Sequence, residues 1–143
     1  MNHILTVIKK YLPEWNERPY TFSDFESLCE RTGARVQRAP VKTPGMYFVR
    51  SGQPIITLSD KLFGVKLWQV AWHEIGHHLL HPPGLRCYSP SSISKAEAEA
   101  EFLSLGSILD ENTLIRIVSH GELHDYPRDL LKRRLRMVSR YQS

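Results

Sequence analysis

Residues 71–84 read AWHEIGHHLLHPPG, and this stretch decides which fold and which chemistry the chain can support. Within it, His73, Glu74 and His77 form an H-E-x-x-H pattern. On a helix, residues four apart lie one above the other, so both imidazoles can reach the same ion. Glu74 is offset enough to act on a water at that ion without being a ligand. Zinc suits such a site because it binds histidine nitrogen and lowers the pKa of its water to about 7.

The alternative to a metal site is a solvated helix face that happens to be rich in histidine. The residues around the motif argue against this alternative because they are apolar. They are Leu67, Val70, Ala71, Ile75, Leu79 and Leu80. Burying two histidines and a carboxylate among such residues is costly unless each has a partner. The surroundings therefore favour the metal site.

Three other residues of the same helix have different expected roles. His81 continues the histidine stripe, but three ligands on one straight helix rise over about 12 Å. That span is too long for bonds near 2 Å, so His81 is expected beside the site or at the helix end. His78 lies about 100° around the helix from His77 and should point elsewhere. Gly76 costs the helix about 1 kcal/mol relative to alanine, which favours close approach of another backbone, for example the sheet edge or a substrate.

A catalytic zinc usually needs a third protein ligand, and the next helix offers Glu97, Glu99 and Glu101. Glu97 and Glu101 share a face, whereas Glu99 is expected to point away. A polar helix with a repetitive Ala-Glu pattern would explain any one of these residues taken alone. A site with two histidines nevertheless needs a carboxylate, and these glutamates are the first acids after the motif.

The remaining pattern predicts a single α+β domain over residues 1–143. A small antiparallel sheet is expected to pack with several helices, with the H-E-x-x-H motif on a central helix. Ser23 is the expected cap of the second helix, and Ser94 begins the helix after the motif with Glu97 as its capping-box partner. The predicted elements are helix 4–11, helix 24–33, strand 34–39, hairpin 45–59, helix 61–81, helix 94–109 and helix 127–141.

The net charge of +4 is concentrated at the end of the chain, where six basic residues follow position 127 with Asp129 as the one acid. A basic helix can bind nucleic acid. No helix-turn-helix pattern accompanies it, so the solvated face of a terminal helix is the favoured interpretation.

The chain is expected to be cytoplasmic and to have no membrane partner. No apolar run approaches the ~20 residues that a membrane span needs, and the N-terminal residues make a poor secretory signal. Cys29 and Cys87 are isolated, so no thiolate zinc site or redox motif is indicated.

The chain resembles the ImmA/IrrE metallopeptidases, a zincin-like group of bacterial and phage proteins. The resemblance covers the hairpin 45–59, the motif helix, the helix that begins EAEAEFLSLGSIL and, more weakly, LLKRRLRMV. In that family the zinc helix typically reads H-E-[LI]-G-H-x-L-L-H, which residues 73–81 match closely.

The family's next helix supplies a glutamate ligand in a pattern like E-x-x-A-[ND]-x-[FY]-A. Laid on this chain, that glutamate is Glu97, with Ala100 at the small position. Glu101 stands where Asn or Asp is usual, Leu103 replaces the aromatic residue and Ser104 replaces the alanine. The family's Leu-Leu-Met-Pro ending is replaced by SILDEN. The resemblance implies Glu97 as the third ligand, with Glu101 as the alternative.

The function expected on this basis is hydrolysis of a peptide bond by a zinc-dependent regulatory endopeptidase. His73, His77 and Glu97 would hold the zinc, and Glu74 would take a proton from the attacking water and pass it to the leaving amine. Part of residues 46–59 could align an extended substrate at the sheet edge. The resemblance implies that the substrate is a helix-turn-helix transcriptional repressor, which must be a separate protein.

Two other classes of function stay open. One is a non-catalytic, zinc-containing module that binds a transcription regulator. An intact Glu74 argues against it, because structural zinc needs no general base. The other is a nucleic-acid-binding protein that uses the basic C-terminal helix, which a steep salt dependence of DNA affinity would favour.

A second histidine pattern places His120 and His124 four apart with Glu122 between them. Gly121 interrupts any helix there, so a polar loop is the favoured interpretation. The minority interpretation is a histidine that steadies the oxyanion during turnover. Two tyrosines are further candidates for that role, Tyr88 and Tyr126.

Overall fold

The computed structural model describes residues 2–81, 90–121 and 126–141, with side chains described within 3–81, 93–121 and 126–137. Within these ranges the chain forms six helices and one three-stranded sheet, which agrees with the α+β class. No helix in them is long and apolar enough to cross a membrane. The elements are α1 (Asn2–Tyr11), α2 (Phe22–Thr32), β1 (Arg35–Ala39), β2 (Gly45–Arg50), β3 (Gln53–Ser59), α3 (Gly64–Leu80), α4 (Pro90–Ile108), α5 (Glu111–His120) and α6 (Arg128–Tyr141).

The sheet is mixed, so the prediction of an antiparallel sheet is wrong for one of its two pairings. β3 lies in the middle, antiparallel to β2 and parallel to β1. The hairpin was predicted correctly, and its turn residues Ser51 and Gly52 have φ values of 51° and 80°, as a type I′ turn requires. Residues close together in sequence determine this hairpin, whereas the direction of β1 relative to β3 depends on the position of β3 within the sheet. Here β3 lies between β1 and β2, which are consecutive in sequence.

Two predicted helix caps are wrong. Thr21, rather than Ser23, caps α2, because the Thr21 hydroxyl accepts from the Asp24 N–H while the Asp24 carboxylate accepts from the Thr21 N–H. Helix α4 begins at Pro90, a residue type favoured in the first helical position. Glu97 therefore lies inside α4 and is not a capping-box partner.

Helix α3, which carries the H-E-x-x-H motif, is central in the fold, as predicted. It packs against α1, α2, α4, β2 and β3. The neighbouring elements bury one side of α3 while leaving His73 and His77 partly accessible. Among the described residues, the largest fully buried apolar side chains are Ile8, Leu12, Phe25, Leu28, Ile56, Leu58, Trp72, Ile75, Leu103, Ile108 and Leu109.

Helix α6 is more than the solvated basic face expected from its sequence. Arg134 is only 1% exposed, and its guanidinium donates to the carbonyl of Leu109 at 2.7 Å and to the side-chain oxygen of Asn16 at 2.8 Å. Leu109 follows the last turn of α4, where carbonyls lack partners within the helix. Arg133 pairs with Glu101 at 2.7 Å. These two arginines therefore hold α6 against the rest of the molecule.

Candidate metal centre

Helices α3 and α4 bring His73, His77 and Glu97 together. One oxygen of Glu97 lies 2.9 Å from His73 Nε2, and the other lies 3.0 Å from His77 Nε2. One ligand atom from each residue can be chosen so that all three lie within 4.8 Å of one another. The two histidine side chains are 17% and 14% exposed and that of Glu97 is 57% exposed. The cluster is therefore open to solvent on its glutamate side.

The chemistry of these donors fits a zinc ion. Two histidines and one glutamate form a known catalytic set, in which a fourth position stays open. Tetrahedral bonds of about 2.1 Å place neighbouring donor atoms about 3.4 Å apart. The contacts of 2.9 and 3.0 Å would lengthen by only about half an ångström to reach that separation. The three residues can therefore take a metal with small side-chain adjustments.

The crossing of α3 and α4 at Gly76 sets the spacing of these ligands. A Cβ atom on Gly76 would lie 3.2 Å from the Ala100 Cα and 3.4 Å from the Ala100 carbonyl oxygen. Gly76 precedes His77, and Ala100 follows Glu97 by three residues, so the crossing lies within one turn of the ligands. The predicted close approach of another backbone at Gly76 is therefore confirmed, and that backbone belongs to α4 rather than to the sheet edge or a substrate.

Glu74 is buried beside the cluster and faces the start of β2. It is 8% exposed, and a Cβ atom on Gly45 would lie 3.1 Å from Glu74 Cγ and 3.2 Å from Glu74 Oε2. Burial raises the pKa of Glu74 to about 7, while His73 lowers it and Glu97 raises it by smaller amounts. A carboxyl group with a pKa near neutrality can both accept and donate a proton near pH 7.

The other two glutamates of α4 have different partners. Glu101 accepts a hydrogen bond from Arg133 at 2.7 Å and so faces α6 rather than the histidines. Glu99, expected to point away, lies 3.1 Å from His81 Nε2 and its side chain is 12% exposed. Sequence reasoning missed this contact. His81 could have indicated this contact, because a histidine that is largely buried at the end of the motif helix needs a polar partner.

His78 points away from the cluster, as predicted. Its Nδ1 lies 2.9 Å from the Tyr47 hydroxyl, and its Nε2 lies 3.0 Å from the Thr32 carbonyl oxygen. These contacts tie α3 to β2 and to the end of α2. The role of His78 is therefore structural.

Of the oxyanion candidates, His120 and Tyr126 lie in the described part of the chain, and Tyr126 lies away from the candidate site. His120 ends α5, and Gly121 caps that helix with a left-handed φ of 67°, so the predicted interruption is observed. The Tyr126 hydroxyl donates to the Ile108 carbonyl at 3.4 Å. Ile108 lies eleven residues beyond Glu97 on α4, or about 16 Å along the helix. The other two candidates, Tyr88 and His124, lie outside the described residues, as does Glu122 of the same histidine pattern.

No protein-family model matches the chain, and no curated protein matches it significantly in sequence.

Proposed function

We propose that the protein is a zinc-dependent endopeptidase in which His73, His77 and Glu97 hold the ion and Glu74 moves the proton. The observation that carries this proposal is the Glu97 carboxylate, which reaches both imidazoles of the H-E-x-x-H helix at 2.9 and 3.0 Å. When bound, zinc supplies positive charge that polarises a scissile carbonyl and makes a water more acidic.

Glu74 is the proposed general base and general acid. Its carboxylate accepts a proton from the attacking water as the water oxygen bonds to the scissile carbonyl carbon. It then gives that proton to the departing amine as the carbon–nitrogen bond breaks. Burial supports the role of base, because in the metal-free protein it raises the pKa of Glu74 to about 7 and so makes its carboxylate a stronger proton acceptor.

The edge strand β2 is the proposed alignment surface for the substrate. β2 pairs with β3 on one side, and among the described residues no strand pairs with its other side. An extended peptide can add to such an edge through main-chain hydrogen bonds. Gly45, the first residue of β2, lies against Glu74. A peptide bound along this strand would therefore pass near the proton-transfer group.

The proposed substrate is a separate helix-turn-helix transcriptional repressor, and the proposed compartment is the cytoplasm. Resemblance of the motif helix and the hairpin to the ImmA/IrrE metallopeptidases supports this choice. A protease that cut unfolded proteins freely in the cytoplasm would damage its host. We therefore expect recognition of one partner and little digestion of a general substrate such as casein.

The first test is metal content. Protein purified without chelators should carry one zinc per chain, and His73→Ala or His77→Ala should lose it. Because the ligands project from a core helix, removal of the ion should also lower the melting temperature. Wild-type protein that is free of metal would overturn the proposal.

The second test is cleavage. The repressor encoded nearest to the protein is incubated with the zinc-loaded wild type and with Glu74→Gln. The variant should keep its zinc and its fold but lose hydrolysis, because the amide is nearly isosteric yet cannot accept the proton. Cleavage by Glu74→Gln at the wild-type rate would refute the role of Glu74. Binding of the repressor without cleavage by the wild type would instead identify a non-catalytic interaction module.

A further inference from the structure

A chain of hydrogen bonds leads from the candidate ligand His77 away from the metal position. His77 Nδ1 lies 3.0 Å from His81 Nδ1, and His81 Nε2 lies 3.1 Å from Glu99 Oε1. The side chains of His81 and Glu99 are only 15% and 12% exposed. This Glu99–His81–His77 chain therefore lies mostly inside the protein, whereas the Glu97 side of the site is open.

The chemistry of the three groups gives this chain a direction. An ionised carboxylate only accepts hydrogen bonds, so Glu99 requires the proton of His81 to be on Nε2. A neutral imidazole carries one N–H, which leaves His81 Nδ1 as an acceptor. The proton shared between the two rings then belongs to His77 Nδ1. His77 Nε2, which lies 3.0 Å from a Glu97 oxygen, is then left with a lone pair that can bind an ion. Without the ion this lone pair faces an acceptor, so Glu97 favours the opposite tautomer of His77 in the metal-free protein.

The opposite arrangement would disable the ligand. If His81 Nδ1 donated to His77 Nδ1, a neutral His77 would carry its proton on Nε2 and present no lone pair to an ion. Glu99 would then face the unprotonated Nε2 of His81, with two acceptors 3.1 Å apart. Glu99 at the far end of the chain therefore favours the His77 tautomer that can bind an ion, in competition with Glu97 at the near end.

The backbone holds His81 in place for this role. His81 is the C-terminal cap of α3, and its N–H donates to the His77 carbonyl at 2.9 Å. Its ring stacks at an angle on that of His77, with centroids 5.1 Å apart. Helix α3 thus sets the separation of the two rings, and α4 supplies the carboxylate.

We propose that His81 and Glu99 are positioning residues that fix the tautomer and ring orientation of His77 for metal binding. The inference rests on the proposed zinc site. Groups that hydrogen-bond to a metal-ligating histidine typically change metal affinity by 10- to 100-fold when removed. Here the acceptor is a second histidine, and its own far nitrogen is tied to the carboxylate.

Zinc affinity, measured on the full chain by competition with a chromophoric chelator, is the first test. Glu99→Ala should weaken zinc binding by about 10- to 100-fold. Glu99→Gln should weaken it less, because the amide oxygen can still accept from His81. Glu101→Ala is the matched control, since it removes a carboxylate from the same helix that pairs with Arg133 instead, and it should leave zinc affinity unchanged.

The second test reads the tautomer directly and needs no zinc. Histidine ¹⁵N shifts are recorded without metal at about pH 8.5, well above the ordinary imidazole pKa of about 6.5. The background is Glu97→Ala, because the Glu97 carboxylate would otherwise accept a proton from His77 Nε2. His77 should carry its proton on Nδ1 in Glu97→Ala and in Glu97→Ala with Glu101→Ala. When Glu99→Ala is added to Glu97→Ala, the signal should move toward the Nε2–H form. A purely structural role for Glu99 would not move it.

The outcomes separate the two proposals. If the wild type binds no zinc while the tautomer shift is seen, the zinc proposal fails and the hydrogen-bond chain stands. If the wild type binds zinc and Glu99→Ala binds it equally well with His77 unchanged, the positioning role is refuted and the zinc site stands. If Glu99→Ala does not fold, the comparison of Glu99→Gln with Glu101→Ala decides, and identical affinities and identical His77 shifts refute the role.

Discussion

Replacing Glu97 by alanine should remove most of the stabilisation that zinc gives to the protein, whereas Glu101→Ala should leave it intact. The two residues lie four apart on α4 and carry the same functional group. Glu97 reaches both motif histidines, while Glu101 is paired with Arg133. The pair of variants therefore isolates the position of the carboxylate as the only variable.

The size of the expected difference follows from mass action. Free zinc at 100 times the wild-type Kd stabilises the native state by about 2.7 kcal/mol, or roughly 8–10 °C for a domain of this size. Loss of an outer hydrogen-bonding partner alone costs 10- to 100-fold in affinity, so loss of a ligand should cost about 100-fold or more. The same zinc concentration then only equals the Kd. The stabilisation falls to about 0.4 kcal/mol, which is roughly 1–2 °C.

The metal-free proteins provide the baseline for this comparison. The Glu97 side chain is 57% exposed, and the Glu101–Arg133 pair is about one-third exposed on each side. Ion pairs in such positions contribute at most about 1 kcal/mol. Both metal-free variants should therefore melt within a few degrees of the wild type, and a large difference should appear only when zinc is added.

The assay is thermal unfolding followed by circular dichroism on chelator-treated protein, with and without added zinc. Direct zinc titration of the same samples gives the affinities. Retention of the full zinc-induced shift by Glu97→Ala, or a larger loss in Glu101→Ala, would refute the assignment of Glu97 as the third ligand.

Three further predictions concern stability and reactivity. Gly106→Ala would place a Cβ atom 2.1 Å from Cζ2 of the Trp15 indole, far inside contact distance. Overpacking and loss of the buried hydrogen bond from the indole N–H to the Leu103 carbonyl outweigh the gain in helix propensity, so the free energy of unfolding in urea should fall by about 3 kcal/mol. A fall of less than about 1 kcal/mol would contradict this. Burial alone would raise the pKa of Asp24, but hydrogen bonds led by that from Thr21 lower it. The Asp24 carboxylate therefore stabilises the folded protein at neutral pH, and this stabilisation is lost as the pH falls. Asp24→Ala should lower the free energy of unfolding by about 1 kcal/mol at pH 7 and by little near pH 2. An equal decrease at both pH values would contradict this prediction. Burial raises the pKa of Cys29 to about 12, so peptide mapping should find it unmodified after alkylation of the native protein at about pH 8; rapid native labelling would contradict this.

Local pattern predicted the motif helix and the hairpin because each depends on residues close together in sequence. The spacing of His73 and His77 requires only a helix, and the turn at Ser51 and Gly52 requires only left-handed φ values. The parallel pairing of β1 with β3 could not be read in this way. It depends on the insertion of β3 between two strands that are consecutive in sequence.

Helix α5 was not predicted, although its start carries a recognisable signal. The Asp110 side chain accepts from the backbone N–H of Thr113 at 3.2 Å, as an N-cap does. Only Leu114 and Ile117 are buried in this helix, however, and Ile115 and Val118 are 54% and 66% exposed. The four apolar residues nevertheless lie at helical spacing on one side of the segment, so the sequence carried a second helical signal that was not used.

The candidate site combines one feature that is local in sequence with one that is not. Helical geometry alone places His73 and His77 on the same face of α3. The carboxylate comes from another helix, and its reach depends on how closely α4 crosses α3. Gly76 and Ala100 allow that closeness, because a Cβ on Gly76 would already lie 3.2 Å from the Ala100 Cα. A chain that kept the H-E-x-x-H pattern but carried a bulky residue at position 76 or 100 would keep both histidines in register and still move Glu97 away from them. The candidate metal site therefore depends on the two small residues as well as on its ligands, because their close contact lets Glu97 reach the histidines.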